Sequence, residues 1–233
     1  MKKRILIFSS LTFPIICAFI ALYFLNQWNI LPCKSYSAED FGIEKVTSPV
    51  DYNENGTDDY TDFLLGAKMD AHNKPTYDGR YWDGGYPPDD IGVCTDVIWR
   101  AFKQAGYSLR DMVDKDIKSY PERYPGVEVR DSNIDFRRLK NLSVFFEQYA
   151  VKFTLDTTDI AQWQPGDIVI VNNNHIGMVS DLRNADGRVY IIHNAGQPNR
   201  DEDALKRMEV TAHYRFDTSL IDSNVLVSFS QQS

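Results

Sequence analysis

"YPPDDIGVCTDVIWRAFKQAGY", residues 86–107, sets a thiol where a loop turns into a helix. The Pro, Asp and Gly content up to Gly92 marks the loop. From Cys94 to Ala105, the spacing of Val97, Ile98, Ala101, Phe102 and Ala105 predicts a helix with one apolar stripe. Gly106 is a natural stop. A helix start offers free N–H groups and the positive end of the dipole, and both favour a thiolate. A thiolate becomes a catalyst once a histidine stands beside it as base or imidazolium partner.

Histidines of the required kind follow downstream. After a second predicted helix, "FRRLKNLSVFFEQYA" (136–150), the pattern changes to short β-branched runs separated by turn signals. These runs are "VKFTL", "DIVIVN", "HIGMVSD", "RVYIIHN", "EVTAHYRF" and "VLVSFS". His175 opens the third and His193 closes the fourth, so a hairpin would place them on neighbouring strands. His193 would then orient His175, as the third member of a triad does. Asn194 is the alternative in that role. His72 and His213 read as structural. Helices followed by an antiparallel meander predict an α+β fold with the nucleophile helix packed on an antiparallel sheet.

The chain of 233 residues carries a net charge of −8 and no large Lys/Arg cluster, which argues against nucleic acid as a partner. Lys2, Lys3 and Arg4 precede an uncharged run, Ile5 to Leu25, about the length of a membrane span. The run is long for a signal-peptide core, and no clear cleavage site follows. An N-terminal transmembrane helix is therefore expected, with the remainder outside the cytoplasm, membrane-anchored at the cell surface or in the periplasm. If the segment is cleaved, the protein is secreted instead. Cys94 is the only cysteine of the globular part, so no internal disulfide framework exists. The expected organisation is tip and anchor (1–25), linker (26–45), an acidic loop with a helix (46–70), and the main domain (71–233). Residues 107–136 read as polar and turn-rich.

The acidic loop fits D-x-[DN]-x-[DN]-G-x5-acid at Asp51, Asn53, Asn55, Gly56 and Asp62. The side chains of Asp51, Asn53, Asn55 and Asp62, with the Thr57 carbonyl, would ligate a structural Ca2+. Asp59 stands where a ligand often acts through water. A solvated Asn/Asp turn is the plain alternative.

The blocks "YWDGG…CTDVIWRAFKQAGY", "QPGDIVIVNNNHIGMVSD" and "VYIIHN" resemble the NlpC-type cell-wall cysteine peptidases, a papain-like branch. The likeness covers roughly residues 77–196. The chain is also similar to a bacterial family of unknown function near those peptidases. The resemblance implies a papain-like fold, with Cys94 as nucleophile, His175 as base and His193 as orienting group. It implies a cell-wall peptide as substrate and no catalytic cofactor. Tyr81 and Tyr86, in the loop before the thiol, would line the site. The family usually carries Asp-Cys-Ser at the nucleophile, and this chain has Val93-Cys94-Thr95 with Asp96 one step on. Asp96, beside the thiol, is carried as a substrate-binding residue, without the γ-D-glutamyl specificity that the usual Asp confers. The adjacent Arg137 and Arg138 could grip a substrate carboxylate bidentately. The expected function is an extracytoplasmic thiol peptidase or amidase. The alternatives are a catalytically idle wall- or protein-binding module and an acyl transferase on the same scaffold.

Overall fold

The computed structural model describes the backbone of residues 2–31 and 33–230, with side chains from residue 12 onward except residue 32. Two compact units result, Met1–Lys34 and Ser35–Ser233. The first carries a single helix, α1 (Lys2–Gln27), with Pro14 inside it. Among the described residues no helix is long and apolar enough to cross a membrane. The side chains of the expected anchor up to Leu11 lie outside those described.

The second unit is a mixed α+β body. Its elements run α2 (Asp59–Asn73), β1 (Thr76–Tyr77), β2 (Ile91–Gly92), α3 (Cys94–Gln104), α4 (Leu109–Ser119), α5 (Leu139–Tyr149) and β3 (Val151–Lys152). Then follow β4 (Ile168–Val171), β5 (His175–Arg183), β6 (Val189–Ile192), β7 (Asp201–Glu202) and β8 (Val210–Arg215). Six strands form one sheet in the order β3-β8-β4-β5-β6-β7, every neighbouring pair antiparallel. A short parallel ladder joins β1 to β2 just ahead of α3.

Strand alternation decides which face meets the helices. Ile168, Ile170, Ile176 and Met178 join the core formed with α2–α5. Val169, Val171 and Val179 point the other way, under Trp163, Ala204 and Leu205. Covering both faces explains why "IVIV" is buried throughout. The predicted stripe of α3 is sealed, with Val97, Ile98, Ala101, Phe102 and Ala105 all at 0% exposure.

Several expectations are corrected. The stretch read as polar turns contains α4, capped by Ser108, whose side chain accepts from Asp111 N. Leu109, Met112, Val113 and Ile117 make its buried face. The helix expected from Phe136 begins at Leu139, after a 3-10 turn at Asp135–Arg137. "VLVSFS" forms no strand beyond a single bridge from Ser228 to Tyr107. Residues 35–45 belong to the domain rather than to a linker: Tyr36 bridges Arg183. The Phe41 ring stands 3.2 Å from where a Cβ on Gly187 would sit.

Candidate active site

Cys94 is the first residue of α3 and is 8% exposed. It lies in the core shared by the helices and β5. The N–H groups of Ile176, Thr95 and Cys94 itself favour its thiolate, but burial outweighs them and pushes the thiol above its ordinary value. The negative charge of Asp96 adds to the rise. The helix start favours the thiolate, and burial is the larger influence against it. Because the Ile176 N–H reaches the sulfur, the thiol sits against β5 one residue from His175.

His175 is half-buried at the start of β5. Its Nε2 lies 2.9 Å from His193 Nδ1, and the rings meet edge to face at 4.9 Å. The hairpin therefore pairs the histidines as the spacing predicted. Burial first, then the neighbouring His193 and Arg207, pull His175 down to about 4. Burial thus opposes the charged form of both groups.

This depression has a consequence for stability. As pH falls from 6.5 toward 4, the unfolded chain binds a proton at residue 175 that the folded chain refuses, so stability drops. With allowance for the ring's partial exposure, the loss is on the order of 2 kcal/mol. Urea midpoints at pH 7.5 and 4.5 are expected to separate more for the native chain than for His175→Gln. Parallel shifts would contradict the depressed value.

Behind the two rings stands a residue that the sequence reading missed. His193 Nε2 is 3.0 Å from Glu202 Oε1, and both side chains are shut off from solvent. Glu202 is also paired with Arg207. Gln197 Nε2 lies 3.2 Å from both ring nitrogens of His193 and donates to its carbonyl at 3.0 Å. The segment "QPNRDED" reads as loop, yet β7 pairs Glu202 with Ile191 and Asp201 with Ile192. A two-residue strand is too short to show alternation, so no sequence signal marked it.

Asn194 does not face His175. Its Nδ2 donates to the carbonyls of Gly92, at 2.9 Å, and Pro75, at 3.2 Å. It pins the loop before the nucleophile to the sheet.

The expected substrate-binding residues divide. Asp96 is fully buried: Oδ2 accepts from Val93 N at 2.7 Å, and Oδ1 from Trp99 Nε1 at 2.7 Å. Arg137 binds it bidentately at 2.7 and 2.9 Å. The pair braces the first turn of α3 and is closed to substrate. Tyr86 is half-buried and packs against the core, its ring tilted or edge-on to Trp99, Phe136 and Phe229. Tyr81 is open, 54% exposed, with its hydroxyl accepting from Asn133 Nδ2 at 2.9 Å. Arg138 is open as well, paired to Asp135 only at 3.3 Å. Tyr77 was missed. It is 52% exposed on β1, and the Cys94 thiolate, after burial, contributes to raising its hydroxyl.

The acidic loop closes on hydrogen bonds. Asp51 accepts from Asn55 N and Gly56 N, and Asn55 Oδ1 accepts from Thr57 N. Asp62 accepts from the amides of Asn53 and Asn55, at 3.1 and 2.9 Å, and from Gln104 at 3.3 Å. Asp59 turns inward, accepting from Tyr107 and Thr218. Among the described residues, no group of three or more His, Cys, Asp or Glu could hold a metal ion. These bonds order the segment as an Asn/Asp turn with Asp51, Asn53, Asn55 and Asp62 gathered around it.

A family model described as "Domain of unknown function (DUF1287)" matches residues 64–216, from α2 to the end of the sheet. "Uncharacterized protein YijF" of Escherichia coli (strain K12) is 34% identical over 163 residues, 65% of this chain and 78% of that protein. No solved structure matches.

Proposed function

The chain belongs to the DUF1287 family, and on that premise we propose that it is a thiol amidohydrolase acting on cell-wall peptides. The carrying observation is the linear array His175–His193–Glu202, ending one residue from the strand position that meets the Cys94 thiol. The resemblance of its three sequence blocks to NlpC-type peptidases supports the substrate class and a papain-like arrangement. The charge-free run Ile5–Leu25 supports placement outside the cytoplasm, anchored at the membrane.

In this reading Cys94 attacks the amide carbonyl as His175 takes the thiol proton. The carbonyl becomes a tetrahedral oxyanion, which the backbone N–H groups at the start of α3 stabilise. His175 then gives the proton to the departing amine, leaving a thioester. Water, deprotonated by His175, attacks the thioester; the C–S bond breaks, the acid is released, and the Cys94 sulfur takes the proton back from His175. His193 and Glu202 are positioning residues that hold the ring and its tautomer.

Alkylation of Cys94 by iodoacetamide tests the state of the thiol. With the thiol raised, the rate is expected to climb about tenfold per pH unit from 6 to 9, without a plateau. A plateau between pH 5 and 7 would reveal an ion pair and refute the neutral dyad. No labelling of the folded chain at pH 9 would mean an inaccessible sulfur, and the hydrolase reading would fall.

A further inference from the structure

We propose that the cavity between the start of α5 and the Asn172–Asn174 turn is a specificity pocket for an apolar residue bearing a free carboxylate. The proposal rests on the amidohydrolase reading and assigns that site its substrate class.

The cavity holds about 470 Å3, in the size range of small-ligand sites. Tyr124, Leu139 and Val144 give it an apolar lining, with Arg138, Asn173 and Asn174 among the polar groups around it. Cys94 and His175 do not line it, but two of its residues adjoin theirs in the chain or through one hydrogen bond. Arg138 follows Arg137, whose carbonyl accepts from Thr95 Oγ1 at 3.0 Å, next to Cys94. Asn174 directly precedes His175. The turn itself is built for exposure: Asn172 and Asn173 hold φ of 53° and 57°, a left-handed backbone that asparagine tolerates. Both side chains reach solvent.

Charge selects the occupant. The chain carries −8, yet Arg138 and Lys140 both line this cavity. Asp135 meets Arg138 at one edge only, at 3.3 Å, and the Arg138 side chain stays 49% exposed. Lys140 makes no ion pair among the described residues. An apolar floor under two cations complements a leucine-like side chain with a carboxylate beside it. The neutral amide of the same residue forfeits the ionic part.

The full chain, labelled with 15N, is titrated with N-acetyl-leucine and with N-acetyl-leucinamide, following the side-chain amides of Asn173 and Asn174. Saturable shifts there are expected for both, with the acid binding about five-fold tighter, as two exposed ion pairs imply. The double variant Arg138→Ala/Lys140→Ala is expected to bind both with equal affinity. Silent amides, equal affinities in the native chain, or a preference that survives in the double variant would each overturn the pocket. Iodoacetamide labelling of the same samples reports the thiol separately. An inert Cys94 with intact acid preference defeats only the hydrolase reading, and a reactive Cys94 without preference defeats only the pocket.

Discussion

Asp96→Ala is expected to lower the unfolding free energy by about 3–5 kcal/mol, the largest stability effect of any single substitution near the site. The Asp96 carboxylate accepts four donors: Val93 N, Trp99 Nε1, and two nitrogens of Arg137. Its side chain is 0% exposed and that of Arg137 is 1% exposed. Removing the acid strands a buried guanidinium, and only Arg137 Nη1 keeps a partner, the Arg80 carbonyl at 2.9 Å. The substitution also strips the cap of α3 and leaves the Trp99 N–H unsatisfied. These losses share one carboxylate, so they do not add. Arg137→Ala should cost a similar amount, because it leaves the acid buried among neutral donors. The double change Asp96→Leu/Arg137→Met is expected to be less harmful than either single one, since it removes both desolvated charges. Urea denaturation with an unchanged m-value measures all three. A loss below about 1 kcal/mol for Asp96→Ala would show that the pair does not brace the helix start.

The same pair shows what the sequence could and could not disclose. The stripe of α3 is a local pattern, and local patterns transfer to the fold directly. The His175–His193 juxtaposition was also readable, because a short turn between two β-branched runs leaves few other pairings. Burial is different, because it depends on segments distant in the chain. Arg137 looked like an exposed cation beside Arg138, and nothing local distinguishes them. Only the packing of the 3-10 turn against α3 draws one inward to Asp96 and leaves the other at 49% exposure. Tyr86 follows the same logic, drawn against the core by Trp99 and Phe136. The thiol is the sharpest instance. The helix end is legible and favours ionisation, whereas the apolar wall that reverses the sign is assembled by other elements. The helix α4 was legible after all: its Ser108 cap and its buried Leu109, Met112, Val113 and Ile117 stand in the segment read as turns.

If the chain is the amidohydrolase proposed, the second large effect comes from Glu202→Gln, which should cut kcat/KM on wall peptides by about a hundred- to ten-thousand-fold while the chain stays folded. Proton positions along the array decide which nitrogen of His175 is the base. A Glu202 carboxylate can only accept, so His193 Nε2 carries a proton toward it. With one proton on the ring, Nδ1 of His193 is the acceptor facing His175 Nε2. His175 must donate to it from Nε2, which leaves the lone pair on His175 Nδ1 as the available base. Glutamine at residue 202 can present its NH2 group instead. His193 then accepts at Nε2 and donates from Nδ1, and the proton of His175 shifts to Nδ1. The base is lost with no change in size. Cys94→Ala and His175→Ala are expected to match or exceed this loss, and they remove reacting groups outright. Glu202→Gln differs in its signature: kcat falls with KM near native, and the pH dependence of iodoacetamide labelling stays that of a raised thiol. Measured rates within about threefold of the native chain would mean that Glu202 does not set the tautomer and that the array is a structural hydrogen-bond network.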